Sequence, residues 1–156
     1  MIEVSKEFDI NKLRNNHMNF EEILTINVKI QSAIDLKNDN GDSVVMISFT
    51  GDANSKYFEG QVLPGGIDTQ IIGKSGDRHT LSARYMLEGE DYTGEPCKMF
   101  IENNGNMNKN LQGALFRTYP KIITDSKALE FMNRDILVGE GFSAEDGVKI
   151  VIYRAV

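Results

Sequence analysis

The chain is nearly without cysteine: of 156 residues only Cys97 carries a thiol, so no internal disulfide can form. A domain of this length buries roughly 68–70% of its unfolded surface and needs no covalent staple, which points to one domain in a reducing, cytoplasmic setting. Long apolar runs are also missing. They stop at stretches such as Val44 to Ile47, far short of the ~20 residues that cross a bilayer as a helix. The start Met-Ile-Glu-Val-Ser-Lys-Glu has neither a basic nor an apolar leader region, so no secretory leader is expected. Basic excess is absent as well: 17 Lys and Arg stand against 23 Asp and Glu, a formal charge of −6. That balance leaves no footprint for phosphate backbones or anionic membranes, and nucleic acid is not an expected partner.

What the chain does have is period-two alternation, which sends successive side chains to opposite faces of a strand. Leu24, Ile26, Val28 and Ile30 alternate with Thr25, Asn27, Lys29 and Gln31. Val44 to Phe49 is apolar on both faces and follows Asn38-Asp39-Asn40-Gly41, whose Asn-Gly pair predicts a hairpin. Further strands are expected at 57–63, 68–72, 80–88, 98–104, 116–122, 136–142 and 148–154, about nine in all with the first two. Pro64-Gly65-Gly66, Ser75-Gly76-Asp77, Gly94-Glu95-Pro96, Asn104-Gly105 and Asp146-Gly147 supply turn chemistry between them.

Helix signals are few. An Asp or Ser cap ahead of Ala128, Leu129 and Met132 predicts one short helix over Asp125 to Arg134. Ile10, Leu13 and His17 share a helical face within Asp9 to Phe20, though the Asn-rich middle weakens it. Many short strands and one late helix predict an all-β fold, a small closed antiparallel barrel of about eight or nine strands with the helix at one end.

Most local motifs have plain readings. Gly73-Lys74-Ser75 lacks the first glycine of a phosphate-binding loop, since Asp68 stands there, and it reads as a hairpin turn. A calcium loop with Gly41 sixth would place Leu36 and Ile47 at ligand positions, so Asp35 to Asp42 reads as a solvated turn. His17, His79 and Cys97 are too few and too scattered for structural zinc, no metal or cofactor fingerprint is present, and Cys97 after Pro96 carries no catalytic signature. Glu88-Gly89-Glu90-Asp91 reads as a solubilising loop.

Charged and amide residues inside strand-like stretches carry more information, because such groups are rarely buried without a partner. Asp68, Arg84, Glu102, Asn103 and Arg117 are of this kind. In Thr80 to Glu88, Leu81, Ala83, Tyr85 and Leu87 share one face and Arg84 takes the other. Arg84 is solvated if the apolar face is the core, and projects into the barrel if that face packs on another subunit.

Five segments in order carry a family resemblance. They are Gly60-Gln61-Val62-Leu63-Pro64-Gly65-Gly66-Ile67-Asp68, Ala83-Arg84-Tyr85, Phe100-Ile101-Glu102-Asn103-Asn104-Gly105, Phe116-Arg117-Thr118-Tyr119-Pro120, and Asn133-Arg134-Asp135-Ile136-Leu137-Val138-Gly139. With the ending Val151 to Val156 they resemble the domain of unknown function 3237 family, also called uncharacterised protein family 0311. The resemblance runs from about Leu24 to Val156, leaving roughly the first twenty residues outside it as an N-terminal extension to the barrel domain. It implies a small barrel of the allene-oxide-cyclase-like kind and no established activity. Thr69 stands where an aromatic residue is usual in that family, and the connection Gly105 to Leu115 is shorter and Asn-rich.

Three functional expectations follow. The first is a barrel holding a small, partly apolar ligand with a carboxylate or carbonyl group, faced by Arg84 and Arg117, with Asn103, Tyr85 and a balancing Asp68 around it. The second is a cofactor-independent isomerase, cyclase or lyase with Asp68 as base in the same pocket. The third is a solid barrel acting through its surface, favoured if the two arginines are exposed and far apart. Apolar residues on both faces of Val44 to Phe49 and Val148 to Tyr153 further predict a homo-oligomer, a dimer first.

Overall fold

The structure, a computed structural model, describes residues 17–156. Nine antiparallel strands make up nearly all of it: β1 (Phe20–Leu36), β2 (Ser43–Asn54), β3 (Phe58–Val62), β4 (Ile67–Ile72), β5 (His79–Asp91), β6 (Pro96–Met107), β7 (Phe116–Thr124), β8 (Leu137–Ala144) and β9 (Gly147–Ala155). Hydrogen-bonded neighbours run β1-β9-β8-β7-β6-β5, then through β3 and β4 to β2, which pairs back onto β1. The sheet is therefore closed. β3 lies between Asp52–Asn54 of β2 and Leu87–Asp91 of β5, while β4 lies between Ser43–Ser48 and His79–Arg84. Both short strands thus occupy one position in the ring, interrupted at Pro64-Gly65-Gly66, where Gly65 takes φ 106°. A ring of this size has an interior that side chains fill or that holds one small ligand.

Glycine sets the closest strand approach. Gly60 of β3 faces Gly89 of β5, and a Cβ on either would collide with the partner strand's backbone carbonyl. Closure also needs β1 to serve two neighbours at once, β9 over Phe20–Lys29 and β2 over Ile26–Leu36, with a bulge near Gln31.

Alternation decides what lies inside. Leu24 and Ile26 of β1, Leu87 of β5, Met99 and Ile101 of β6 and Ile152 of β9 are fully buried in one core cluster. β7 and β8 pair only at Phe116–Thr118, and the connection that follows β7 seals the gap with Leu129 and Met132, both within the same cluster. Arg154 fastens this end: its guanidinium donates to Glu21 at 2.9 Å and Asp135 at 3.3 Å, and stacks 4.4 Å from the Phe131 ring centre.

Three local expectations are corrected. Asp125 to Arg134 is not a helix but a chain of turns with one 3-10 segment, Glu130–Asn133. Its cap signal is real, since Ser126 Oγ accepts from Leu129 N–H at 3.2 Å. Helix growth is pre-empted because Asp125 accepts the Lys98 N–H, Ser126 donates to Asp91, and Asn133 accepts the Thr124 N–H. Asn104-Gly105 is no turn; β6 runs through it, and glycine is required because the Arg117 carbonyl lies against it. The β1–β2 hairpin forms as expected, but through Asn38, whose Oδ1 accepts from Asn40 N–H at 3.0 Å, and not through positive φ at Gly41. The helix expected over Asp9 to Phe20 falls on residues outside those described up to residue 16, and Phe20 itself opens β1.

Candidate functional site

Further along the strands that build the core, the inward positions change character. Ile26 is followed inward by Val28 and Ile30, and Ile101 by Asn103, and there the barrel opens into a cavity of about 100 Å³. Its wall is mostly apolar, with Phe49, Leu81 and Phe116 prominent, and its polar groups are Asp68, Gln70, Tyr85, Asn103 and Thr118.

Asp68 and Gln70 sit two residues apart on β4 and so point the same way. Asp68 Oδ1 accepts the Ser82 backbone N–H at 3.2 Å and Oδ2 accepts from Gln70 Nε2 at 2.8 Å. Gln70 Oε1 in turn lies 2.7 Å from His79 Nε2. A carbonyl oxygen can only accept, so this amide orientation assigns the proton to His79 Nε2. No arginine or lysine reaches Asp68 within ion-pairing distance among the described residues.

Tyr85 packs edge-to-face on Phe49, with ring centres 5.1 Å apart. Its hydroxyl, the Asn103 Oδ1 and the Thr118 Oγ1 are all buried without a hydrogen-bond partner. Native interiors leave few such groups, because each forfeits its hydration for nothing, at roughly 1–3 kcal/mol. All three belong to residues that line the cavity, so its wall combines apolar surface with polar side chains whose own bonding is incomplete. Burial, and secondarily the Asp68 charge, pushes the Tyr85 phenol far above its ordinary pKa, so it stays a proton-bearing donor.

Of the residues singled out from sequence, the barrel brings together Asp68, Tyr85 and Asn103 and leaves out Arg84 and Arg117. The arginine placement is a correction, and alternation is its cause: Arg84 lies between inward Ala83 and Tyr85, and Arg117 between inward Phe116 and Thr118. Both are 66% exposed and pair with outer-face carboxylates, Arg84 with Glu102 at 3.5 Å and Arg117 with Glu140 at 3.2 Å. Exposure of the two arginines meets one of the two conditions of the surface reading, and the cavity counts against a solid barrel. Gln70, His79 and Thr118 were not anticipated. Period two from Asp68 reaches Gln70, and the residue beside Arg117 is Thr118, so counting alternation across the whole ring would have found them.

Other sequence features fall outside the cavity. Gly73-Lys74-Ser75 belongs to the β4–β5 turn, where Gly76 takes φ 72°. Cys97 is buried in the core, and burial, with the charges of Asp91 and Asp125, raises its thiol pKa. Asp91 is not a loose loop carboxylate: it accepts from Ser126 Oγ at 2.6 Å, Thr93 Oγ1 at 2.5 Å and the N–H groups of Thr93 and Glu95. Those bonds, led by Ser126, lower its pKa to about 2. No helix is long and apolar enough to cross a membrane among the described residues.

Comparison with known proteins agrees with this architecture. A UPF0311 protein of Clostridium acetobutylicum is 36% identical over 90 residues, 56% of this chain and 54% of that relative, so the match spans about half the length of the curated protein. The crystal structure of a protein with unknown function from Clostridium acetobutylicum superposes with a TM-score of 0.75 at 28% identity, covering 90% of this chain and 98% of that one. A β-barrel-like protein from Acinetobacter baumannii gives a TM-score of 0.68 at 17% identity over 90% and 97% of the two chains, a likeness of fold alone. The profile of the proteins of unknown function called DUF3237 matches residues 18–155, and the chain belongs to that family.

Proposed function

We propose that the barrel binds one small, partly apolar, uncharged molecule bearing a carbonyl or hydroxyl group. The observation that carries this is that three residues lining a mostly apolar cavity, Tyr85, Asn103 and Thr118, each hold a buried polar atom without a hydrogen-bond partner among the described residues. A carbonyl oxygen would accept from Tyr85, and a hydroxyl would also donate to Asn103. The carboxylate half of the original expectation loses its support with the arginines outside. An anion entering the cavity would meet the Asp68 charge and no cation. On size, a dry apolar cavity of ~150 Å³ takes benzene, so at about 100 Å³ one small ring is the upper limit of scale to try.

Cyclohexanone and phenol test the reading against benzoate and benzylamine. The neutral pair should raise the melting temperature of the wild type and lose most of that shift in Tyr85→Phe, while benzoate gives none. Equal shifts in wild type and Tyr85→Phe, or no shift with either neutral probe at millimolar concentration, would sink it.

A second reading is a cofactor-independent isomerase, cyclase or lyase working in the same cavity. It is favoured by one observation: a carboxylate, Asp68, oriented by Ser82 and Gln70, shares the cavity with a phenol that burial keeps protonated. Asp68 would take a proton from a carbon next to a carbonyl, and Tyr85 would hold the developing oxyanion by hydrogen bond. Asp68→Asn should then abolish turnover of a substrate while leaving its binding intact; unchanged turnover would remove Asp68 as base.

A further inference from the structure

The barrel closes, but β1 overshoots it. Its pairing with β9 ends at Lys29, followed by one backbone bond from Ile30 N–H to the Asp146 carbonyl at 3.4 Å. Beyond that point β1 bonds only to β2, through Leu36. Among the described residues, Ser32–Leu36 therefore presents one edge of outward backbone donors and acceptors to nothing. β7 has a comparable gap on its β8 side, but the connection after β7 covers it and Asn133 caps Thr124. Natural sheets blunt free edges with lysine, proline, inward charges, bulges or covering loops; Ser32–Leu36 has no lysine or proline, and its one charge is Asp35.

The outer face beside this edge is apolar. Because the bulge near Gln31 resets the alternation, Ile34 pairs with Met46 and Leu36 with Val44, both outward positions of β2. Ile71 of β4 continues the row opposite Val44. Ile34 is 75% exposed, Leu36 57% and Met46 43%. A row of hydrophobes next to an unpaired strand edge is suited to an extended strand with its own apolar face.

We propose that this edge pairs antiparallel with the same edge of a second copy of the chain, about a two-fold axis at Ile34. That register puts Ile34 against its symmetry mate, Ser32 against Leu36 and Ala33 against Asp35, so the outer apolar side chains meet and no like charges oppose. Centring the axis one residue later would set Asp35 against Asp35, which the charge disfavours. The chain enters β1 at Phe20, at the opposite end of the strand from Ile34. A second copy brings an identical edge and apolar row directly to this one, and isologous pairing is the commonest way a soluble chain buries such a surface. The proposal does not depend on what the cavity binds.

Sedimentation of the intact chain across the micromolar range reads the assembly directly. The wild type should run at twice the 17.5 kDa chain mass. Ile34→Lys places two ammonium groups at the axis and should weaken the dimer by about tenfold or more. Its circular dichroism and melting profile should stay those of a folded barrel, because Ile34 is exposed. Ile34→Cys should crosslink under mild oxidation, whereas Ile136→Cys, at a site 72% exposed on another face, should not. A single 17.5 kDa species at every concentration overturns the proposal, as does a dimer that Ile34→Lys leaves intact or that crosslinks through Ile136→Cys alone.

Discussion

At the scale of single residues, two side chains make separate predictions. The Tyr85 hydroxyl is buried without a hydrogen-bond partner among the described residues, so Tyr85→Phe removes a desolvated polar atom and keeps the ring packed on Phe49. The ligand-free variant should be as stable as the wild type or more stable by about 0.5–1 kcal/mol in urea denaturation, the reverse of what deleting a satisfied hydroxyl does. A clear loss would mean that ordered water already bonds the phenol. Asp91 behaves oppositely, because four bonds hold its ionised form. Its folded pKa of about 2 lies below the ordinary 3.8, so its contribution is complete above the ordinary value and disappears as pH falls through about 2. Asp91→Asn should therefore unfold at lower urea than the wild type at neutral pH, with the gap between the two midpoints closing below pH 3.8. A gap that persists unchanged to pH 2 would show that the carboxylate charge is not what stabilises the β5–β6 turn.

At the scale of elements, the short strand β3 depends on a backbone approach that only glycine permits. Gly89→Ala would drive a Cβ into the Glu59 carbonyl, and Gly60→Ala one into the Glu88 carbonyl. Neither collision can be relieved by a side-chain rotation, so each variant should lose about 2–4 kcal/mol, and the double variant less than the sum because both disturb one contact. Denaturation midpoints of the three variants check this. Gly65→Ala meets no atom but must adopt φ 106°, so its cost is conformational and smaller. The late segment teaches a different lesson about elements. Residues with a good cap and helical spacing become turns because both ends of the segment are tied to neighbouring strands, Asp125 to Lys98, Ser126 to Asp91 and Asn133 to Thr124.

At the scale of the whole molecule, closure is what makes a site. β1 receives β2 and β9 together, and only then do Val28, Asp68, Asn103 and Thr118, from four different strands, line one cavity. Closure also divides the charges: Arg84, Arg117 and their carboxylate partners remain on the outer wall, and among the described residues the cavity is lined by one carboxylate, Asp68. The overshoot of β1 past the ring belongs to the same scale, since a strand of 17 residues is longer than its β9 partner can cover.

Alternation and turn residues were enough to read nine strands, their approximate limits and the all-β class, because period two and left-handed glycines are local consequences of backbone geometry. Asp68 and Asn103 could be marked as unusual from sequence, since charged and amide groups amid strand hydrophobes need a reason, whereas Tyr85 read as part of the apolar face of its strand. Which face of each strand turns inward was not local. Arg84 and Tyr85 are adjacent, and their opposite fates follow from the side on which the ring closes. Tertiary structure alone decided that β3 and β4 share one position, that Gly105 is a crossing point, and that Gln70 and His79 stand behind Asp68. Each of these is a relation between strands distant along the chain, fixed by closing the sheet and by no residue's own preference.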